Sequence, residues 1–196
     1  MTPSNILKYF LVALVIGACF IMTECNYASK PTMYESKPGL STWEGQFEKE
    51  LPMLGHRNWV LVVDKAFPEQ NSPGIEYIYA NDSLLSVLRQ VVDKINRSTH
   101  VKPTIYQDKE LNYLTESQVK GVNQFRQATK SIFGRQPVEI MLHDSVFKKL
   151  NTESQLFKIL VIKTNETIPY TSVFLQLNCA YWDNDREKQL RLNMNR

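Results

Sequence analysis

The sequence predicts an α/β domain built on a mainly parallel sheet. Three observations support this prediction. Residues 59–63 form an unbroken apolar segment, which is typical of a strand buried on both faces. Residues 84–95 carry apolar side chains at helical spacing, the strongest helix signal in the chain. Strand-like and helix-like segments alternate from there onward, and this rhythm builds parallel sheets with helices packed on them.

Composition limits the class of protein. A chain of 196 residues has room for one ordinary domain and an appendage, and such a domain can bury a substantial core. The apolar content of 43% and the charged content of 22% are close to the averages for globular proteins. A net charge of +3 is too small and too scattered for a nucleic-acid surface, so we expect no nucleic-acid partner.

The N-terminal segment, residues 1–25, differs from the rest of the chain. A short region with Lys8 precedes an apolar run over residues 9–22, which has signal-peptide length and is short for a membrane span. Within it, VIGAC sets small residues directly before Cys19, as in bacterial lipoprotein processing sites. We therefore expect an exported protein, anchored through a lipid on Cys19 at the periplasmic side of a bacterial envelope. An ordinary secretory signal and an uncleaved anchor are the alternatives.

The other cysteines and the histidines suggest neither a disulfide nor a metal site. Cys25 follows a glutamate, which makes it a poor processing site, and it lies in a stretch that looks flexible. A bridge between Cys25 and Cys179 is conceivable in an oxidising compartment, but we do not predict one. No Cys/His cluster has metal-ligand spacing, so we expect no structural zinc site.

The predicted organisation is a linker, a domain and a tail. Residues 26–40 are rich in Pro, Ser, Lys and Gly and are expected to form a flexible linker. The domain covers residues 41–185, and residues 186–196 form a polar tail. A capping box of Ser41 and Glu44 begins a short helix disturbed near Pro52. Strands are expected at residues 58–64, 74–80, 102–107, 137–142, 157–163 and 172–181. Helices are expected at residues 81–96, 115–133 and 143–150, and Asn81 or Asp82 is expected to cap the first of these three.

Two polar residues follow predicted strands. Asp64 ends the most apolar strand, and His143 follows the strand VEIML. Sheets of this class bind ligands at the carboxyl ends of their strands, so both residues are candidate ligand contacts. The alternative for His143 is that it caps the helix after it. No phosphate loop, G-x-S-x-G motif or dinucleotide fingerprint is present, so nucleotide and serine-hydrolase chemistry have no support.

Separated segments resemble one family. LGHRNWVLVVDKAFP, VEIMLHDSVFKKL and IKTNETIPYTSVFL are similar, in order and over roughly residues 45–181, to motifs of the D-ribose pyranase and L-fucose mutarotase family. The resemblance implies a three-layer α/β/α domain. It also implies an isomerase that interconverts cyclic forms of a free monosaccharide such as ribose or fucose, without metal or cofactor. Members are usually rings of identical subunits with the site near a subunit boundary.

The resemblance also assigns roles to residues. It makes His56 the catalytic acid/base residue. Ser172 stands where the family commonly has asparagine, which would shorten or remove one sugar contact. Lys163 replaces a common arginine, and Ala66 replaces a glycine. The substrate-binding residues that the resemblance implies are Asp64, His143, Tyr170, Thr171 and Ser172.

Strand geometry adds a constraint on assembly. An extended segment rises about 3.3 Å per residue, which would place His56 and Asp64 roughly 20 Å apart. A monosaccharide cannot touch both, so either the segment GHRN folds back or His56 of one subunit completes the site of its neighbour. We favour the second and predict an obligate homo-oligomer. A sugar-binding lipoprotein without turnover, suggested by Ser172 and the envelope location, and a scaffold without ligand are the competing hypotheses.

Overall fold

The computed structural model describes residues 42–194. The predicted signal segment, the linker, the lipidation site Cys19 and Cys25 all lie outside that range. Cys179 lies inside it, with a free thiol. Within residues 42–194, no helix is both long enough and apolar enough to cross a membrane.

Within residues 42–194, the domain is organised around one six-stranded sheet. Its strands are β1 Trp59–Val63, β2 Ile75–Tyr79, β3 Val101–Asp108, β4 Val138–Met141, β5 Ile159–Lys163 and β6 Val173–Cys179. They are arranged in the order β2-β5-β1-β6-β3-β4. Three neighbouring pairs run parallel, β1 with β5, β2 with β5 and β3 with β4. Only β6 runs antiparallel to both of its neighbours, β1 and β3. The predicted mainly parallel sheet is therefore confirmed.

Helices cover both faces of the sheet, which gives three α/β/α layers. The helices are α1 Trp43–Glu50, α2 Leu84–Arg97, α3 Val122–Phe133, α4 His143–Glu153 and α5 Asn184–Met194. Val60 and Val62 of β1 pack in the cluster formed with α1, α2 and α3, whereas Leu61 and Val63 face α4. This alternation follows from the two-residue period of a strand, and it explains why the whole of β1 is apolar.

The ends of the first two helices depend on local capping. α1 ends at Glu50 and is followed by a 3-10 turn over Leu51–Met53, which contains Pro52. The predicted disturbance of this helix near Pro52 is therefore confirmed. α2 is capped by Ser83, whose hydroxyl accepts from the N–H of Ser86. The expected cap at Asn81 or Asp82 is therefore wrong, because the Asp82 carboxylate instead accepts from the N–H of Ser83 and the hydroxyl of Ser86.

Two later segments differ from the prediction. The helix expected over residues 115–133 begins only at Val122, because Gly121 takes a left-handed φ of 90° and interrupts it. The Glu116 carboxylate accepts the backbone N–H groups of Gly121 and Asn123 and thereby stabilises this later start. Most of the predicted polar tail lies in α5, a helix with no buried residue.

Candidate functional site

A cavity of about 470 Å³ opens at the carboxyl end of β1. The parallel strands β1, β3, β4 and β5 all end at this edge of the sheet, and β6 begins there. The size is within the range of small-molecule sites. The cavity is lined by Asp64, Lys65, Ala66, Phe67, Pro68, His143, Phe147, Glu166, Thr167, Pro169 and Tyr170.

Asp64 is held in place on both carboxylate oxygens. Its Oδ2 accepts the hydroxyl of Ser172 at 2.7 Å, and its Oδ1 accepts the N–H of Ala66 at 2.9 Å. The backbone N–H of Asp64 also donates to Ser172 Oγ at 3.2 Å. Each carboxylate oxygen can accept more than one hydrogen bond, so Asp64 keeps acceptor capacity for a ligand in the cavity.

Tyr170 occupies a constrained loop between β5 and β6. Its φ of 60° lies in the left-handed region, which is uncommon for a bulky residue and costs on the order of 1 kcal/mol or more. The Glu166 carboxylate organises the loop by accepting the N–H groups of Thr167 and Ile168. The Tyr170 ring meets the ring of His143 edge-on, with 5.3 Å between their centroids.

His143 is the first residue of α4 and does not cap it. Leu142 occupies the N-cap position, and the Glu110 carboxylate accepts the His143 N–H at 3.1 Å. The capping alternative is therefore wrong. The His143 side chain instead turns to Asp108, with 2.8 Å between Nδ1 and Asp108 Oδ2. Its ring also packs on Phe147, with 4.8 Å between the ring centroids.

Asp108 also belongs to the site, although it was not among the residues predicted from the sequence. It is fully buried at the end of β3, and its Oδ1 has no hydrogen-bond partner among the described residues. Burial raises the pKa of Asp108 to about 6, although the hydrogen bond to His143 lowers it. The rule that singled out Asp64 and His143, a polar residue directly after a predicted strand, would also have found Asp108.

Two of the predicted sugar ligands do not line the cavity. Thr171 and Ser172 are buried, and their hydroxyls donate to Ile168 O at 2.6 Å and to Asp64 Oδ2. In this structure they order the loop and Asp64. The structure thus brings Asp64, His143 and Tyr170 to one cavity and places Thr171 and Ser172 behind it.

His56 lies in a different place. It lines a second cavity of about 1020 Å³ together with Lys102 and Thr104 of β3 and Asn178 and Cys179 of β6. Those residues lie at the opposite end of the sheet from Asp64, because Val101 of β3 pairs with Cys179 of β6. Within one chain, His56 is thus separated from the other predicted site residues.

Residues 42–194 contain no group of three or more His, Cys, Asp or Glu side chains placed to hold a metal ion. The ionisable groups of the first cavity are two carboxylates, an imidazole, an ammonium group and a phenol, from Asp64, Glu166, His143, Lys65 and Tyr170. This set can exchange protons and hydrogen-bond a small polyhydroxylated molecule.

Comparison with known proteins identifies the fold. No protein-family model and no curated protein matches the sequence. Among solved structures, Bacillus subtilis RbsD complexed with D-ribose has 18% identity and a TM-score of 0.50, over 68% of this chain and 91% of that chain. FucU from Bifidobacterium longum has 12% identity and a TM-score of 0.48, over 68% and 93%. The fucose mutarotase of Streptococcus pneumoniae in complex with L-fucose has 14% identity and a TM-score of 0.47, over 68% and 91%.

The molecule is therefore an α/β/α protein with a cavity at the carboxyl edge of its sheet. Its particular fold is that of RbsD, as the likeness to the B. subtilis structure shows.

Proposed function

We propose that the protein is a monosaccharide mutarotase or pyranase, which interconverts cyclic forms of a free sugar such as ribose or fucose. The observation that carries the proposal is the meeting of Asp64, His143 and Tyr170 in one cavity at the carboxyl edge of the sheet. The fold supports it, because the B. subtilis protein of this fold was solved with D-ribose.

The cavity has the chemistry that a sugar requires. Asp64 accepts hydrogen bonds from sugar hydroxyls, and the rings of Phe67 and Phe147 offer an apolar wall to the C–H face of the sugar. These two rings stack with 5.3 Å between their centroids, so the wall is preformed. Ring opening needs one proton acceptor and one proton donor, and positioned proton transfer contributes roughly 10²–10⁴-fold to the rate.

His56 enters this proposal through a second copy of the chain. Since it lines the cavity at the other end of the sheet, it serves a sugar site only in an assembly that brings it to the Asp64 cavity of a neighbour. We therefore propose an obligate homo-oligomer in which His56 donates or accepts a proton across the subunit boundary.

Mixing two variants tests this arrangement. His56→Ala and Asp64→Asn proteins are each expected to be impaired in sugar exchange. The two proteins are mixed in equal amounts, unfolded and refolded together. If assembly is random, about a quarter of the shared sites combine an intact His56 from one subunit with an intact Asp64 from its neighbour. Exchange above the sum of the separate proteins supports the shared site, whereas no recovery in a demonstrated mixed oligomer contradicts it.

The activity itself is tested by exchange NMR at equilibrium. Magnetisation transfer between the pyranose and furanose forms, or between anomers, is measured for ribose, fucose and other pentoses and hexoses. The wild-type protein is expected to accelerate exchange for at least one sugar, and Asp64→Asn to weaken both binding and exchange. Lys130→Ala, an exposed change on α3, is the control and should behave as wild type. A wild-type protein that accelerates no exchange contradicts the proposal.

A sugar-binding protein without turnover is the second candidate. It is favoured by one observation, the engagement of the Ser172 hydroxyl with Asp64, which removes that hydroxyl as a direct sugar ligand. Titration calorimetry combined with the exchange measurement separates the two functions. Saturable binding of a sugar without accelerated exchange would establish the binding protein.

We also propose that the chain is exported and anchored by a lipid on Cys19, at the periplasmic side of a bacterial envelope. The support is the sequence around Cys19, which follows an apolar run and small residues. Metabolic labelling with a tagged fatty acid tests this. Label is expected in the wild type and in the control Cys25→Ser, and should be absent in Cys19→Ser. Equal labelling of Cys19→Ser and the wild type contradicts the anchor.

A further inference from the structure

The buried pair of Asp108 and His143 has the geometry of an acid/base unit. Asp108 has no exposed surface, and its Oδ2 lies 2.8 Å from His143 Nδ1. When the carboxylate is ionised it can only accept, so the imidazole must carry a proton on Nδ1. In the neutral ring this places the lone pair on Nε2, the nitrogen that makes no hydrogen bond within residues 42–194.

The imidazole is held by more than this one contact. Phe147 and Tyr170 flank the ring at 4.8 Å and 5.3 Å between centroids, and the Glu110 carboxylate holds the backbone N–H. The side chain nevertheless keeps 35% exposure and lines the cavity. A fixed ring with one unused nitrogen at a cavity wall is suited to transferring a proton.

A purely structural role does not account for Asp108. Its Oδ1 is buried without a partner in the described part of the chain, and an unpaired buried polar atom costs stability. Burial is also the largest influence on its pKa, which is raised to about 6. A neutral acceptor at this position could hold His143 Nδ1–H without a buried charge. The presence of a carboxylate at this position points to a function that uses the charge.

We propose that Asp108 is a positioning residue that presents His143 Nε2 as the base of the sugar site. This inference rests on the proposed function and extends it, because it gives each chain a proton-transferring imidazole distinct from His56. Asp108 would also stabilise the imidazolium that forms when His143 accepts a proton.

The proton balance of the step is complete. His143 Nε2 takes the proton of the anomeric hydroxyl, and the electron pair of that O–H bond forms the C=O bond of the open-chain sugar. The bond between the anomeric carbon and the ring oxygen breaks, and its electron pair goes to the ring oxygen. That oxygen takes a proton from a donor on its other side, either water or the His56 imidazolium of a neighbouring copy. Reclosure by any hydroxyl reverses both transfers.

The pH dependence of sugar exchange is set by all the ionisable groups around Asp108 and His143. Protonation of Asp108 removes the obligatory acceptor of Nδ1–H, so exchange is expected to decline as the pH falls through about 6. Negative groups nearby favour this protonation, with Glu110 and Asp64 the main ones. The ionisable groups that face the pair or its cavity are Asp64, Lys65, Glu110, Glu166 and Tyr170.

Nitrogen-15 NMR of the full domain without sugar tests the pairing. In the wild type at pH 8, the His143 resonances are expected to report the Nδ1–H tautomer. In Asp108→Asn, the amide can donate to Nδ1, so a large Nε2–H fraction is expected. Asp93→Asn, the same exchange on the exposed surface of α2, is the matched control and should leave the His143 resonances unchanged. A wild-type Nε2–H tautomer overturns the inference.

Exchange kinetics on the same three proteins test the consequence. Asp108→Asn is expected to lower kcat for sugar exchange by about 10²-fold with KM little changed, which is the lower end of the usual contribution of positioned proton transfer. The same substitution should also remove the decline in exchange rate as the pH falls through about 6. Undiminished exchange in Asp108→Asn overturns the role of Asp108 and leaves the mutarotase proposal standing. Absence of exchange in the wild type overturns the mutarotase proposal, and with it the role of Asp108.

Discussion

Ser172 donates its hydroxyl to Asp64 Oδ2 at 2.7 Å, across the junction between the end of β1 and the start of β6. The two residues are 108 positions apart in the chain and meet only because β6 enters the sheet antiparallel to β1. Ser172 is buried, so its contribution to a ligand site is made through the orientation of Asp64.

Ser172→Ala is therefore expected to weaken sugar affinity about tenfold while the fold is retained. A hydrogen bond to a charged group contributes roughly 1.5–3 kcal/mol, and about 1.4 kcal/mol corresponds to a factor of ten in affinity. Titration calorimetry measures the change. Ser131→Ala, which removes an exposed hydroxyl on α3, is the matched control. Unchanged affinity in Ser172→Ala would show that Asp64 needs no such support.

The buried carboxyl of Asp108 predicts a pH-dependent stability. Its pKa is raised from 3.8 to about 6 in the folded protein, so the folded state holds the proton more tightly than the unfolded state. The stability associated with this group is present below pH 3.8 and is lost as the pH rises through about 6. The difference corresponds to roughly 3 kcal/mol.

Asp108→Asn should therefore match the wild type in stability near pH 4 and exceed it near pH 7.5. Urea unfolding at both pH values measures this. Asp93→Asn is the control for the substitution itself, since Asp93 is more than half exposed. A stability difference between wild type and Asp108→Asn that stays constant with pH would contradict the raised pKa.

Gly74 is required by a close backbone approach at the start of β2. A Cβ on this residue would lie 2.8 Å from the carbonyl oxygen of Phe157 and still closer to that of Ser154, and neither backbone group can move aside easily. Gly74→Ala is expected to destabilise the fold by about 1–3 kcal/mol, the usual cost of overpacking. Gly55→Ala is the matched control, because its Cβ would meet nothing closer than 3.9 Å. Thermal unfolding should separate the two variants clearly.

Helix α5 is expected to be dispensable for the fold. None of its residues is buried, so deletion of residues 184–196 removes little packing. The free energy of unfolding should change by less than about 0.5 kcal/mol, which calorimetry can measure. The deletion also removes part of the wall of the cavity that contains His56. A large loss of stability would show that α5 packs against something the described chain does not include, such as a second copy.

Local sequence pattern was enough to predict most elements. The burial of every β1 residue and the apolar stripe of α2 are encoded by residues close together in the chain, and these segments were predicted correctly. Side-chain competition at helix ends was harder to predict. Ser83 rather than Asp82 caps α2, and Glu116 binds the N–H groups at the delayed start of α3, because several polar side chains compete for the same donors.

Local sequence patterns were sufficient to predict that the domain is α/β, that its sheet is mainly parallel and that Asp64 and His143 follow strands. These properties depend on hydrophobic period, which is local. Folding of the whole chain pairs His143 with Asp108, places Ser172 beside Asp64 and puts His56 in another cavity. Those relationships depend on which strand ends become neighbours in the sheet, and the order of strands is set by packing across the whole chain.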